Sequence, residues 1–513
     1  GVYTYTYDGV GNKIKMVDPN GQATVYTYDP KGRLSSETDT AQSKISHARD
    51  ALGRVTKFTN AGDQATSYTY DESVNQIATE TDALGQVTSY SYDKSGNVIA
   101  VLKPDGSKVS NEYDGLNRLI KTTDALGVVS TYAYDLNGHK TSETIDGKTT
   151  TYDLDALGNV LSVTYPNKEK TTYSYDLSGN VLNFTDARGK KTSYSYTKGG
   201  ALETISDALG NQTKISYDGN GNQSGLTDAA GYQASTTYNA HNLPETVTDA
   251  LGNKTTYSYS QLEQITSTVD ALGHKKTYDY NDLGYPTSVT DENGNVSKLS
   301  YTSTGQTQSI ENTDGSKIDY SYDALDRLIE EKKSNGLVTS YTYDSDNRVI
   351  KMQDNQGIDE GYTYNAHGQR LTETNSLGEI TTYEYDKKDH VTKIIHADMT
   401  TESFTYDSVG HLLTSTDVEG KPTTYQYDQN GNLKEKKDAK GRLTSFTYDA
   451  INQVVTEKNP AGGIVTYTYD VLGNVSSITD EKGEKTSYGY DANKNLVLYT
   501  DAKGSETALK YDP

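Results

Sequence analysis

The chain has 513 residues, only 33% of them hydrophobic, with 45 glycines and 45 tyrosines against four phenylalanines, three methionines and no tryptophan. An α/β enzyme of this length would need a far larger aliphatic core, so tyrosine has to supply much of the buried surface. The formal charge of −23 repels a phosphate backbone, and the absence of cysteine excludes disulfide staples and thiolate metal sites.

Gly1-Val2-Tyr3-Thr4 already reads as a strand in progress and Tyr511-Asp512-Pro513 stops inside a turn, so the sequence reads as a piece of a larger protein. No signal peptide or apolar run of about 20 residues is present. From Tyr7 and Tyr28 onward, a tyrosine followed by Asp or a small polar residue keeps recurring. Arg49 takes the next slot, the step from Tyr70 to Tyr92 is 22 residues, and Leu154 follows Tyr134 after 20. From Tyr175 to Tyr511 the period is 21 throughout; over the whole chain 22 of 24 intervals have that length. Such a period marks a repeat array, here one array over 1–513 of about 24 repeats.

The elements follow from one unit. Near the start, Asp18-Pro19 and Asp29-Pro30 place proline where a type I turn needs a fixed φ. The stretch Ile145-Asp146-Gly147-Lys148 is short and predicts a tightened turn. Thr171 to Tyr175 alternates polar and aromatic residues, Asp176 to Asn180 turns, Val181 to Thr185 runs back, and Asp186 to Gly189 turns again. In Asp207-Ala208-Leu209-Gly210 the carboxylate caps backbone N–H groups and Gly supplies a left-handed position, giving a type I turn with a G1 bulge. Asp82 to Gly85, Asp124 to Gly127, Asp249 to Gly252 and Asp270 to Gly273 are spelled alike.

The expected fold is all-β: a continuous antiparallel sheet of about 50 short strands built from 21-residue hairpins. Tyr173 and Tyr175 should share one face with Val181 and Val160 in an aromatic-aliphatic carpet, with Thr172 and Ser174 on a hydroxylated face. A flat ribbon of this kind would run roughly 240 Å, and open sheets much beyond about ten strands curl, which predicts a spiral hollow shell or part of one.

Candidate chemistry is thin. His139, His390 and His411 share a repeat slot, the last two about 9.6 Å apart, too far to ligate one metal. The remaining histidines, His47, His241, His274, His367 and His396, form no zinc-ligand cluster. Each Asp-x-x-Gly loop offers one carboxylate, whereas a calcium site needs six to eight converging oxygens. No Gly-x-Ser-x-Gly motif occurs, and Gly219, Gly221 and Gly225 do not lead a strand into a helix as a phosphate cradle would. Neither a catalytic site, a metal nor a cofactor is expected. The tyrosines could serve as glycan contacts, but their 21-residue recurrence already has a packing explanation. The residues expected to carry the structure are Tyr28, Asp29, Gly32, Tyr175, Asp176, Gly179, Asp207, Gly210, Tyr259, Tyr469, Asp470 and Gly473.

Tyr28-Asp29-Pro30-Lys31-Gly32-Arg33-Leu34 and Tyr469-Asp470-Val471-Leu472-Gly473-Asn474-Val475, each followed by Thr-Asp-x-x-Gly and a Thr-Tyr-x-Tyr strand, resemble the YD-repeat or Rhs-repeat family. The resemblance covers essentially the whole chain. It implies a single-sheet spiral shell, as in bacterial polymorphic toxins, toxin-complex shell proteins, wall-associated proteins and teneurins. By that resemblance the chain is a non-enzymatic shell or scaffold segment of a secreted or surface protein. Its partner would be an enclosed C-terminal effector or flanking domains. No effector segment, self-cleaving terminus or receptor module is legible in these residues. The alternative is an adhesive module for glycans or cell-wall polymers; no nucleic-acid partner and no transmembrane segment are expected. The expected location is extracellular or at the cell surface, with a secretion signal outside this sequence.

Overall fold

The computed structural model describes residues 2–512; Gly1 and Pro513, read above as part of a strand and of a turn, lie outside the described residues. From β1 (Thr4–Tyr7) to β49 (Glu506–Ala508) the strands belong to one 49-stranded antiparallel sheet, and no helix occurs among the described residues. Contacts group the chain into two compact units. Unit 1 comprises Gly1–Val129, Tyr257–Val269 and Gly273–Thr382; unit 2 comprises Ser130–Thr256, Asp270–Leu272 and Tyr383–Pro513.

The repeat is well seen in β17 (Lys170–Tyr175), β18 (Val181–Thr185) and β19 (Lys191–Tyr196). Aromatic and hydroxylated β-formers at alternating positions suit a sheet open to water on both faces. The turn after a Tyr-Asp pair and the turn after the return strand close alike. Asp176 N–H donates to the Asn180 carbonyl at 2.9 Å and Gly179 N–H to the Asp176 carbonyl at 3.2 Å; Asp186, Gly189 and Lys190 repeat the arrangement. We call these the Tyr-Asp turn and the Thr-Asp turn.

One feature is absent from the sequence pattern. In the β17–β18 ladder Tyr175 pairs with Val181 but Ser174 pairs with Asn183, so Leu182 is an extra residue. This bulge recurs in the hairpins, as at Thr27/Tyr28. There the Thr27 hydroxyl lies 2.8 Å from Ser35 Oγ and 2.6 Å from Ser36 Oγ, so both bulge residues face the same side. The bulge therefore resets the alternation and puts the first and fourth residues of each return strand, such as Val181 and Phe184, on the tyrosine face.

That reset corrects the expected carpet. Glu37 stands opposite Tyr26, Glu80 opposite Tyr68, Glu373 opposite Tyr362 and Lys436 opposite Tyr425. The tyrosine face carries charge as well as rings and aliphatics. Among the described residues only Tyr26 and Val128 are buried hydrophobics, while Ser36, Ser162, Ser267 and Ser477 are buried on the other face. The fold is held by its ladders and half-buried rings and not by a central core.

Candidate functional site

The ladder between consecutive hairpins is short. β18 and β19 pair only at Asn183↔Ser193, Phe184↔Thr192 and Thr185↔Lys191, next to the Thr-Asp turn. Beyond them the tyrosine of the Tyr-Asp pair bridges the gap: the Tyr196 hydroxyl donates to the Val181 carbonyl at 2.9 Å. Tyr28 reaches Lys13 O at 2.7 Å, Tyr175 reaches Val160 O at 2.9 Å and Tyr469 reaches Val454 O at 2.7 Å, each 15 residues back. Phenylalanine fills the same space but cannot make this bond. Burial pushes the hydroxyls of Tyr175, Tyr259 and Tyr469 above the ordinary tyrosine range.

The turn carboxylates cap their own loops. Asp176 Oδ1 accepts from Ser178 N–H at 2.8 Å and Asn180 N–H at 2.9 Å, and Oδ2 accepts from the Asn180 side-chain amide at 2.9 Å. The Asn180 amide is the main cause holding this carboxyl below its usual range. Asp207 and Asp470 make the same three bonds to Leu209/Asn211 and Leu472/Asn474. At Asp29 the third partner is Arg33 Nε at 2.7 Å. These bonds cap their own loops, and no group of three His, Cys, Asp or Glu that could hold a metal occurs among the described residues.

The residue after the Tyr-Asp turn glycine, which the sequence reading weighed only for its histidines as metal ligands, connects one repeat to the next. His390 and His411 each place Nδ1 on the turn carboxylate, at 3.1 Å from Asp386 and 2.9 Å from Asp407. Their rings stack on Tyr406 and Tyr427 of the following repeat, with centroids 4.7 and 4.8 Å apart. Arg54 over Tyr70 and Arg327 over Tyr343 do the same as cation–π pairs at 4.4 and 4.6 Å. The side chain then crosses the next turn glycine: a Cβ on Gly431 would lie 2.6 Å from His411 Nε2. Gly32, Gly179, Gly210 and Gly473 all have φ between +74 and +88. The signal was present, because this slot is filled mainly by Asn, Gln, Arg and His, planar groups that can bond and stack at once.

Within each unit two stretches of ribbon meet edge to edge, Thr-Asp turns of the earlier stretch against Tyr-Asp turns of the later one. In unit 1, Gln22 bonds Asp282 at 2.8 Å, Gln64 bonds Asp326 at 3.0 Å, and His367 pairs with Asp124 at 3.1 Å. In unit 2, Lys387 pairs with Asp146 at 2.9 Å, while Arg188 donates to the Asp449 carbonyl at 3.0 Å and stands 3.7 Å from the Asp428 carboxylate. The unit 2 seam has a cavity of about 490 Å³ beside Leu226, Tyr232, Asp228, Leu472 and Lys494.

A family model described as Teneurin YD-shell matches residues 2–145, 187–303 and 334–465, and one described as RHS Repeat matches 155–182, 301–336, 448–485 and 469–506. No curated protein matches. Among solved structures, TcdB2-TccC3-TEV is similar at TM-score 0.60 and 14% identity, over 99% of this chain and 34% of that one. TcdB2-TccC3 without its hypervariable C-terminal region is similar at 0.59 and 14%, over 94% and 35%. The Photorhabdus luminescens Tc holotoxin pore, carrying a TccC3 substitution, is similar at 0.59 and 15%, over 98% and 30%. The chain spans about a third of the length of these solved chains, and at this identity the likeness concerns the fold.

Proposed function

Since the chain belongs to the Teneurin YD-shell family of RHS-type repeats, we propose that it is a non-enzymatic wall segment, one array over 1–513, of an exported or surface protein whose shell encloses an effector. The observation that carries this reading is the sheet itself. Among the described residues it has no central core, and within each unit two stretches of it stack by turn edges, so its hairpins build a wall. Tyr28, Tyr175 and Tyr469 with their turn partners act as fastenings of that wall, since their polar atoms are committed to neighbouring backbone. That one solved neighbour of the same fold is titled a Tc holotoxin pore supports a toxin-type assembly. Among the described residues no helix is long and apolar enough to cross a membrane, and the placement outside the cytoplasm rests on the family.

The test is limited proteolysis of the full-length gene product. A segment protected while this chain is intact, and digested once the chain is unfolded, is the expected result. A segment digested at the same rate in both states sinks the enclosure. The adhesive reading has one observation in its favour: Tyr232 lies outside the bonded slots and is 41% exposed beside the seam cavity. Retention on purified cell-wall polymer that Tyr232→Ala abolishes would favour it.

A further inference from the structure

The seam of unit 2 loses its fastenings at one turn. Asn430 donates its side-chain amide to Asp186 Oδ2 and Asn493 donates to Asp249 Oδ2, each from 244 residues further along the chain. The same step from Asp228 arrives at Leu472, which has no donor to give. The turn's own donor is missing as well. In the flanking Thr-Asp turns the residue after the glycine, Asn211 or Asn253, holds Asp207 or Asp249 Oδ2 at 2.9 Å. After Gly231 that slot is Tyr232. Asp228 Oδ1 caps the Ala230 and Tyr232 N–H groups at 3.0 and 2.9 Å, and Oδ2 accepts no hydrogen bond among the described residues.

The cavity of about 490 Å³ opens where both donors are lost. That volume falls within the usual range of a small-ligand site, about 300–1,000 Å³. Ile205, Leu226 and Leu472 give it aliphatic walls, and Tyr232 adds an exposed ring. The seam is fastened on either side of it, at Asp186 and at Asp249, so both walls belong to this unit.

What such a carboxylate holds is visible elsewhere in the chain. In the Thr-Asp turn at Asp438, Arg442 places Nε and an Nη nitrogen on Oδ2, both at 2.6 Å. Arg33 does the same on Asp29 at 2.7 Å. Arg54 lies over the Tyr70 ring while it holds Asp50. A guanidinium is planar, permanently charged and suited to a carboxylate and a ring at once. Asp228 and Tyr232 bring a carboxylate and a ring to one cavity, and no arginine of the chain lines it.

We propose that the unit 2 seam cavity binds an arginine supplied from outside the chain, its guanidinium on Asp228 Oδ2, its methylenes against Leu226 and Leu472, and Tyr232 alongside. The acidic surplus behind the charge of −23 draws such a cation. Lys494, exposed on the same cavity and without an ion pair among the described residues, takes the ligand's carboxylate. The ligand is therefore free arginine or an arginine at a peptide's C-terminus. The proposal does not depend on what the wall encloses, and it competes with the adhesive reading for Tyr232.

Saturation-transfer NMR on the whole chain tests it, with acetyl-L-arginine as the probe and acetyl-L-citrulline, of the same shape but neutral, as the control. Transfer should reach the arginine methylenes, fall with added salt, and be at least about tenfold weaker for citrulline. Asp228→Asn should cost at least about tenfold in affinity. That variant should fold, because Asn459 caps its own Thr-Asp turn from the same position, accepting from the Ala461 and Gly463 N–H groups at 3.0 and 2.9 Å. Tyr232→Asn restores the donor of the flanking turns, so it should abolish binding while melting stays at the parental temperature or rises. Free L-arginine should bind as the acetyl derivative does, and acetyl-L-arginine amide more weakly unless Lys494→Gln has already removed the difference. Equal binding of arginine and citrulline, undiminished binding by Asp228→Asn, or no transfer to arginine at any concentration overturns the proposal. So does retention on cell-wall polymer through Tyr232 without arginine binding, which would assign the cavity to a glycan.

Discussion

Replacing Tyr175 with Phe keeps the ring between β16 (Val160–Thr164) and β17 and removes one hydroxyl. The ladder there ends at Ser162↔Thr172, so the Val160 carbonyl that accepts from Tyr175 at 2.9 Å has no strand partner to turn to. A net hydrogen bond contributes about 1 kcal/mol, and an acceptor left unsatisfied costs about 1–3 kcal/mol. Because Tyr175 is half-buried and water reaches part of the gap, the expected loss is at the lower end, about 1–1.5 kcal/mol. The control is Tyr173, whose ring packs on Phe184 with centroids 5.2 Å apart. Its hydroxyl is not part of the ladder, and Tyr173→Phe should change stability by less than about 0.5 kcal/mol. In an array where repeats contact their neighbours, the loss appears as local opening. Amide exchange in β16 to β18 should quicken about 5- to 10-fold for Tyr175→Phe, followed by exchange mass spectrometry in native buffer, with the outermost repeats unchanged. Equal exchange in the two variants, or a larger effect at Tyr173, would refute the role given to the hydroxyl.

The tyrosine hydroxyls must stay protonated to donate. Burial raises the folded-state values at Tyr175, Tyr196, Tyr322, Tyr343, Tyr427 and Tyr448. A folded value above the unfolded one contributes stability that is complete below about pH 10 and is lost as pH climbs through the folded values. Phenolate absorbance and circular dichroism should therefore change together above about pH 10, with Tyr362, pushed up to about 12 chiefly by burial and then by its bond to Glu360, among the last to ionise. Gly210→Ala meets open space and carries only the strain of φ +88, a cost of about 1–2 kcal/mol. Gly431→Ala adds the clash with His411 and should lower the denaturant midpoint further; equal midpoints would remove the stacking role of that slot. Deleting the complete unit Tyr259 to Asp279 preserves the strand phase but moves every later seam partner by one repeat, so Arg188 would meet Gly473 where Asn452 now lies 2.5 Å away. Strand exchange should stay near parental while the 186–190 turn loses protection, whereas deletion of Thr256 alone should expose Tyr257 to Ile265.

The strands, both turn types and the capping carboxylates were legible because each is a local rule repeated with the 21-residue period. Thr171 to Tyr175 was read one residue short of β17 (Lys170–Tyr175), and Val181 to Thr185 coincides with β18. The bulge was not legible because its extra residue has no signature: Ile14, Ser35, Thr56 and Leu182 fill it equally. Missing the bulge hid the face of Phe184 and the glutamates opposite Tyr26 and Tyr68. The seams were out of reach for a different reason. The partner of Asp124 is His367, 243 residues on, and it is chosen by curvature accumulated over many hairpins, which no window of sequence encodes.

The two breaks in the period show which part of the repeat tolerates change. An ordinary turn has three residues between its closing pair, as between Asp186 and Lys190. The 22-residue interval has four, Glu72 to Asn75, closed by Asn75 N–H to the Asp71 carbonyl at 2.8 Å and by the pair Asp71↔Gln76. The 20-residue interval has two, Asp146 and Gly147, both left-handed at φ +46 and +75, between paired Ile145 and Lys148. Each irregularity is therefore contained within a turn, and the strands on either side keep their faces. A residue gained or lost inside a strand would turn every later side chain of that strand over, which separates tyrosine from the carbonyl 15 residues back. The Asn75 turn marks a loop where the array accepts a gained residue and the Asp146 turn one where it accepts a lost residue, while strand interiors accept neither. A three-residue insertion after Ser73 should accordingly leave the Tyr92 hydroxyl on the Ile77 carbonyl, now 2.7 Å away, with parental exchange in β8 (Gln76–Thr81). The same insertion after Thr79 should free that hydroxyl and open the strand; parental exchange after both insertions would show that the ladder, and not the tyrosine bond, sets the phase.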